Sequence, residues 1–131
     1  MAELIFRGPI FTAVGSTVID RACREAELEL TKQVRRRVRA LGQSSFKYEK
    51  KTYDVPGKWL TNVRQEARED YHVVTDSGII YGHWLEGTGS RNRTTRFKGY
   101  FMWRRTYQTM LRGDAMFIAR PIIERAVRTI Q

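Results

Sequence analysis

An α+β fold, with a long N-terminal helix packed on a small antiparallel β-sheet and helices at the C-terminal end, is predicted by three patterns in this sequence. Val18, Ala22, Ala26, Leu30, Val34, Val38 and Leu41 recur three and four positions apart, the spacing of one helix face. Two β-prone runs, 71–75 and 79–85, flank the turn-forming Asp76-Ser77-Gly78 and predict a hairpin over about 71–85. A helical pattern returns from about Tyr100. The length of 131 residues suits a single domain, 1–131. A hydrophobic fraction of 41% with 11% aromatics excludes a disordered chain. No apolar run approaches the roughly 18–20 residues of a membrane span, so no membrane partner is expected. The start, Met1-Ala2-Glu3-Leu4-Ile5-Phe6-Arg7, lacks the basic flank and long apolar region of a signal peptide. With Cys23 as the single cysteine, an internal disulfide and a cysteine metal cluster are excluded, and synthesis in a reducing cytoplasm is expected.

Taken in order, residues 1–15 carry Ile5, Phe6, Ile10, Phe11 and Val14 around Gly8-Pro9, a pair that breaks a helix, and read as an extended arm with apolar anchors. Ser16 or Thr17 is suited to cap the first helix, which is expected to run to Leu41 with Gly42 as its stop. Its acids Asp20, Glu25, Glu27 and Glu29 come first and its bases Lys32, Arg35, Arg36, Arg37 and Arg39 second, an order that complements the helix dipole. The arginine run is either a solvated face or a polyanion contact. Residues 43–57 read as an exposed loop or ragged hairpin, and 58–63 as a short strand or the start of a helix running to Asp70. Residues 87–96 read as a mobile basic loop. A helix is expected from about Tyr100 to Leu111, reset at Gly113-Asp114. The final helix runs to Ile130 and starts either after Gly113-Asp114 or at Pro121, with Ile122, Ile123, Ala126, Val127 and Ile130 as its buried face.

The charge is the first functional clue. With 24 Lys+Arg against 14 Asp+Glu the chain carries +10, which favours anionic partners, nucleic acid being the commonest. Between Glu86 and Asp114 lie seven bases and no acid, interleaved with Phe97, Tyr100, Phe101, Trp103 and Tyr107. That mixture either stacks on single-stranded bases or fills a core.

A catalytic constellation is not found. His72 and His83, on the two arms of the predicted hairpin, lack the third and fourth ligands of a zinc site. Cys23 lies near the apolar side of the first helix and reads as a small buried thiol. Glu49-Lys50-Lys51 has the spacing of some metal-dependent nucleases, but the nearest upstream acid, Asp20, falls in a helix. Gly87-Thr88-Gly89 is followed by neither a P-loop nor a dinucleotide fingerprint. No enzyme activity, catalytic residue, metal or cofactor is therefore expected.

Two segments carry a resemblance. Tyr81-Gly82-His83-Trp84-Leu85-Glu86-Gly87-Thr88-Gly89 resembles the Tyr-Ala-x-x-Val-Glu-x-Gly-Thr signature of the tail-completion, or head–tail joining, neck proteins of long-tailed double-stranded DNA phages. Phe117-Ile118-Ala119-Arg120-Pro121-Ile122-Ile123-Glu124 is similar to that family's closing Pro-Phe-Leu-x-Pro-Ala-Leu segment. The order of elements matches over about residues 16–130, with Gly57-Lys58-Trp59-Leu60 opening the sheet. Met116 replaces the first proline, Gly82 the usual alanine, and the aromatic segment 97–111 is long for the family. Tail-completion, head-completion and tail-terminator proteins are not separated by these motifs.

The resemblance implies a non-enzymatic virion protein. It would be one subunit of a homo-oligomeric ring, usually a hexamer, between the head connector or stopper and the tail tube or tail terminator, with double-stranded DNA passing non-specifically through the lumen. Six copies at +10 would bring about sixty positive charges to the opening, which calls for compensating contacts or DNA. On this reading Arg91, Arg93, Arg96 and Lys98 face DNA phosphates in the lumen, a contact that carries no sequence information. Ile5, Phe6, Ile10, Phe11, Trp84 and Glu86 are the expected subunit-interface residues. Two readings from other classes stand beside it. One is a small basic nucleic-acid-binding protein, which needs segment 96–107 exposed. The other is a compact RNase or nuclease using His72 or His83 with the surrounding arginines.

Overall fold

The computed structural model describes residues 3–5, 17–46, 55–79 and 81–129. Helix α1 (Thr17–Phe46) is the frame on which the other elements assemble. It packs along α6 (Ala115–Thr129), and also meets α5 (Met102–Thr109), α2 (Val55–Asn62) and two strands of the sheet. The predicted stripe is its buried face: Ala22, Ala26, Leu30, Val34 and Val38 are all buried, and only Val18 at the N-terminal end lies exposed. Those residues continue into one core with Trp59, Val63, Val74, Leu85, Met102, Trp103, Met110 and Ala119. Cys23 joins the buried set, and burial together with the nearby Asp20 charge pushes its thiol up.

The helix does not stop at Gly42 but continues to Phe46. Gly42 instead admits the indole of Trp59: a Cβ there would stand 2.6 Å from a ring carbon. This extension leaves no base in the last turn, so the arginines of the second half are too far from the helix end to complement its dipole.

The antiparallel sheet has three strands in the order β1 (Glu3–Ile5), β3 (His72–Thr75), β2 (Arg64–Ala67). Leu4 faces Val74 across one side of the central strand, and Gln65 faces Val74 across the other. Of the two options for 58–63, the helical one holds, but the helix is confined to α2 and gives way at once to β2. The hairpin expected at about 71–85 is corrected in its second arm. Strand β3 pairs backward with β2, and the residues read as the return strand form the short helix α3 (Gly82–Glu86). The reason is that both edges of β3 are already occupied, by β1 and β2. Gly82, Leu85 and Glu86, three and four apart, then bury one helical face.

Two side chains, the buried Glu27 and the half-buried Arg35, tie sheet and helices together. Glu27 on α1 accepts the main-chain N–H of His72 and lies 3.0 Å from its Nδ1. Arg35 Nε donates to the carbonyl of Val63 at 3.1 Å. At the C-terminal end, α5 meets α6 through a kinked segment (Met110–Asp114) in which Gly113 leaves helical geometry at φ 138°, the reset expected there. Helix α6 thus begins at Ala115, not at Pro121, which sits inside it and has no N–H to offer Phe117. Ile122, Ile123 and Ala126 are half-buried as expected, whereas Val127 is exposed and Ile130 lies outside the described residues.

Candidate functional site

The segment 81–100 folds into a corner held by its own hydrogen bonds. The carbonyl of His83 accepts the amides of Gly87, Thr88 and Gly89, which stops α3. Gly87 then takes φ 101° and Gly99 φ 112°, and the two backbones touch: a Cβ on Gly99 would overlap the Cα of Gly87, and one on Gly87 the carbonyl of Lys98. Only glycine satisfies both the dihedral and the approach at these positions. The amide of Tyr100 closes the corner on the carbonyl of Leu85 at 2.7 Å. Gly82 has a similar reason to differ from the alanine of the phage pattern, since a Cβ there would overlap the carboxylate of the buried Asp76.

Glu86 and Asn92 are the two polar keys of this corner. Glu86, expected at a subunit interface, is only 5% exposed and works inside the fold. Its two oxygens accept the amides of Trp103 and Arg104 at 2.9 and 3.1 Å, capping the start of α5 where Phe101, in left-handed conformation, supplies no side-chain cap. Burial pushes the Glu86 carboxyl up, and those amides with the Arg104 charge only partly restrain the rise. Asn92 lies in the short helix α4 (Arg91–Thr94) and is buried. Its Oδ1 accepts the Gly89 amide at 3.0 Å, and its Nδ2 donates to the carbonyls of Trp84 and Phe97, each at 3.1 Å. The segment 87–96 is therefore a pinned helical turn over part of its length.

On this frame Arg91, Arg93, Arg96 and Lys98 are all exposed. Lys98 is partly committed, since Nζ donates to the carbonyls of Asn92 and Arg93. Trp84 is half-buried and packs on Phe97 with ring centroids 4.9 Å apart, and Phe97 meets Tyr100 edge-on. Trp103 is buried, so most of the aromatics in 96–107 serve packing and only Tyr107 is exposed. A cleft of about 540 Å³ opens beside the corner between Tyr81, His83, Trp84 and Arg91.

The other sequence candidates scatter. His83 lies on exposed α3, its Nδ1 3.0 Å from Thr88 Oγ1, whereas His72 is held by Glu27 on the sheet, so the two do not share a hairpin. Among the described residues no group of three or more His, Cys, Asp or Glu is placed to hold a metal ion. Ile5 belongs to β1, where its backbone pairs with Val73 of the same chain. Phe6, Ile10 and Phe11 lie outside the described residues, as do Glu49 and Lys51.

One surface escaped the sequence reading, and a second was read there only as an arginine run, without its cleft. The turn from α5 into α6 exposes Leu111 at 68%, Met116 at 51% and Phe117 at 82%, next to a cleft of about 500 Å³ bounded by Arg120, Pro121 and Glu124. The break at Gly113 was expected, but which side chains it leaves exposed was not. A second cleft, of about 690 Å³, runs along α1 between Lys32, Arg35, Arg36 and Arg39 on one side and Leu60 and Gln65 on the other. Among the described residues no helix is long and apolar enough to cross a membrane.

No protein-family model, curated protein or solved structure matches the chain.

Proposed function

We propose that this chain is a structural subunit of a phage neck, one copy of a homo-oligomeric ring that joins the head connector to the tail tube around a DNA conduit. The observation that carries the reading is the construction of the signature segment. Its residues Glu86 and Gly87, together with Asn92 and Gly99 beyond it, are spent on folding a rigid corner, and what the corner offers to solvent is a set of cations. Such a set suits phosphates of any sequence. The apolar turn at Leu111, Met116 and Phe117 supplies a surface of the kind a neighbouring subunit covers. A ring contact is heterologous, one patch meeting a different one on the next copy, so this turn would meet a different surface of its neighbour.

The test is the mass of the purified chain by light scattering, at low and high salt, with and without duplex DNA, followed by mixing with purified phage tails that lack their completion ring. A discrete oligomer of about six subunits, in solution or on the tails, supports the reading. A chain that stays monomeric and does not join the tails overturns it. If that monomer binds DNA with steep salt dependence, the cellular nucleic-acid-binding reading replaces it.

A further inference from the structure

We infer that the cleft along the second half of α1 is a binding site for the phosphodiester backbone of nucleic acid, separate from the corner at 91–98. Lys32, Arg35, Arg36 and Arg39 stand at helical spacings of three and four on one face of α1 and line the cleft together. They cover about 10 Å of helix axis, the rise of about three phosphates along one strand. Among the described residues no acid lines the cleft, and none of the four is in an ion pair.

Three structural facts make this more than a solvated face. Arg35 is fixed, its Nε tied to the Val63 carbonyl, so its remaining N–H groups are aimed without further ordering. Arg39 Nε is buried and has no hydrogen-bond partner among the described residues, a desolvated donor that an anion would satisfy. The helix dipole gives no reason for these bases, because α1 continues for seven residues past Arg39 and carries none in its last turn. Four like charges in a concave wall raise the local potential and concentrate anions.

The lining also selects among anions. At about 690 Å³ the cleft is far larger than one phosphate ion needs. It offers Gln43 and Gln65 as neutral donors, Leu60 and Ala40 as apolar floor and, among the described residues, no aromatic on which a base could stack. Such a site reads backbone and not sequence. The inference shares its polyanion with the neck reading but needs no ring.

The experiment is fluorescence-anisotropy binding of a 20-base-pair duplex to the full chain from 50 to 200 mM salt. It compares Lys32→Gln/Arg36→Gln with Arg21→Gln/Arg24→Gln, which removes the same charge from the exposed first half of the same helix. Each cation that contacts a phosphate contributes about 0.9 to the slope of log K against log salt, so the cleft variant should lower the slope by about 1.8. It should also raise Kd at least roughly tenfold at 50 mM, while the control variant stays close to wild type. All four substituted side chains are exposed, so thermal melts should coincide and exclude misfolding. Poly-glutamate should not displace the duplex. Equal loss in both variants, an unchanged slope in the cleft variant, or poly-glutamate competing as well as DNA would each overturn the inference, the last by making an acidic protein segment the ligand. Light scattering on the same samples keeps the two readings apart. Cleft-dependent DNA binding by a monomer that ignores tails removes the ring and leaves the site, and an assembling ring with an inert cleft does the reverse.

Discussion

Replacing Glu86 by alanine should unlock the corner, and the size of the loss follows from its contacts. The carboxylate accepts two amides at the start of α5, from Trp103 and Arg104, and Trp103 is itself buried. Each buried donor left unsatisfied costs about 1–3 kcal/mol. Part of that is offset because the substitution also removes a poorly solvated carboxyl, so the net loss should be about 2–4 kcal/mol. For a chain of 131 residues the entropy of unfolding is about 0.28 kcal/mol/K, which turns the loss into a Tm decrease of about 7–15 °C. Urea titration should move the midpoint at constant m.

The pH dependence supplies a sign that mere packing would not. Burial raises the folded carboxyl above the ordinary value of 4.5, so between the two values the native state binds more protons than the unfolded one. The advantage of wild type over Glu86→Ala is therefore full below about pH 4.5 and declines as pH rises through the folded value. Glu86→Gln, which keeps one acceptor and cannot ionise, should lose less and remove this dependence. A loss under about 0.5 kcal/mol, within the range of ordinary surface changes, would refute the account of Glu86 as a buried cap, and a gap that widens with rising pH would refute the raised carboxyl.

Asn92→Leu leaves the carbonyls of Trp84 and Phe97 and the amide of Gly89 without their partner. It should cost about 1–3 kcal/mol and make the chain more readily cut by trypsin at Arg91, Arg93 and Arg96. Gly42→Ala sets two effects against each other. Helix propensity favours alanine by about 1 kcal/mol, but the new Cβ would sit 2.6 Å from the Trp59 ring. Overpacking a core costs about 1–3 kcal/mol, so a melt should show net destabilisation. Phe117→Ser should leave monomer stability within about 0.5 kcal/mol, because the ring is 82% exposed. Light scattering should nevertheless show weakened self-association if this turn meets a neighbour.

Legibility in the sequence followed the range of the interaction concerned. The stripe from Ala22 to Val38 fixed the face of α1 that is buried, because a helix bonds within itself and its periodicity survives any tertiary setting. The break at Gly113 was equally legible, since a positive φ is a local property of glycine. Strand pairing was not. The run 79–85 has β-branched and aromatic residues, but β3 had already found β2 and β1, and β-propensity expresses itself only where an edge is free. Gly42 read as a stop until the Trp59 ring, 17 positions away, explained its missing Cβ.

The candidate sites divide the same way. That Arg91, Arg93, Arg96 and Lys98 form an acid-free basic segment is plain from the residue order. That Glu86 turns inward to cap α5, and that Asn92 pins the turn beneath those cations, depends on main-chain groups 3 to 18 residues distant. The basic cleft needed α2 and β2 to form its far wall at Leu60 and Gln65. Charge and helical period are carried by the residues themselves, so the sequence alone determined them. Which polar side chains are buried, and which cations line a concave surface, was decided only when distant segments met, because burial is a property of the contact and not of the residue.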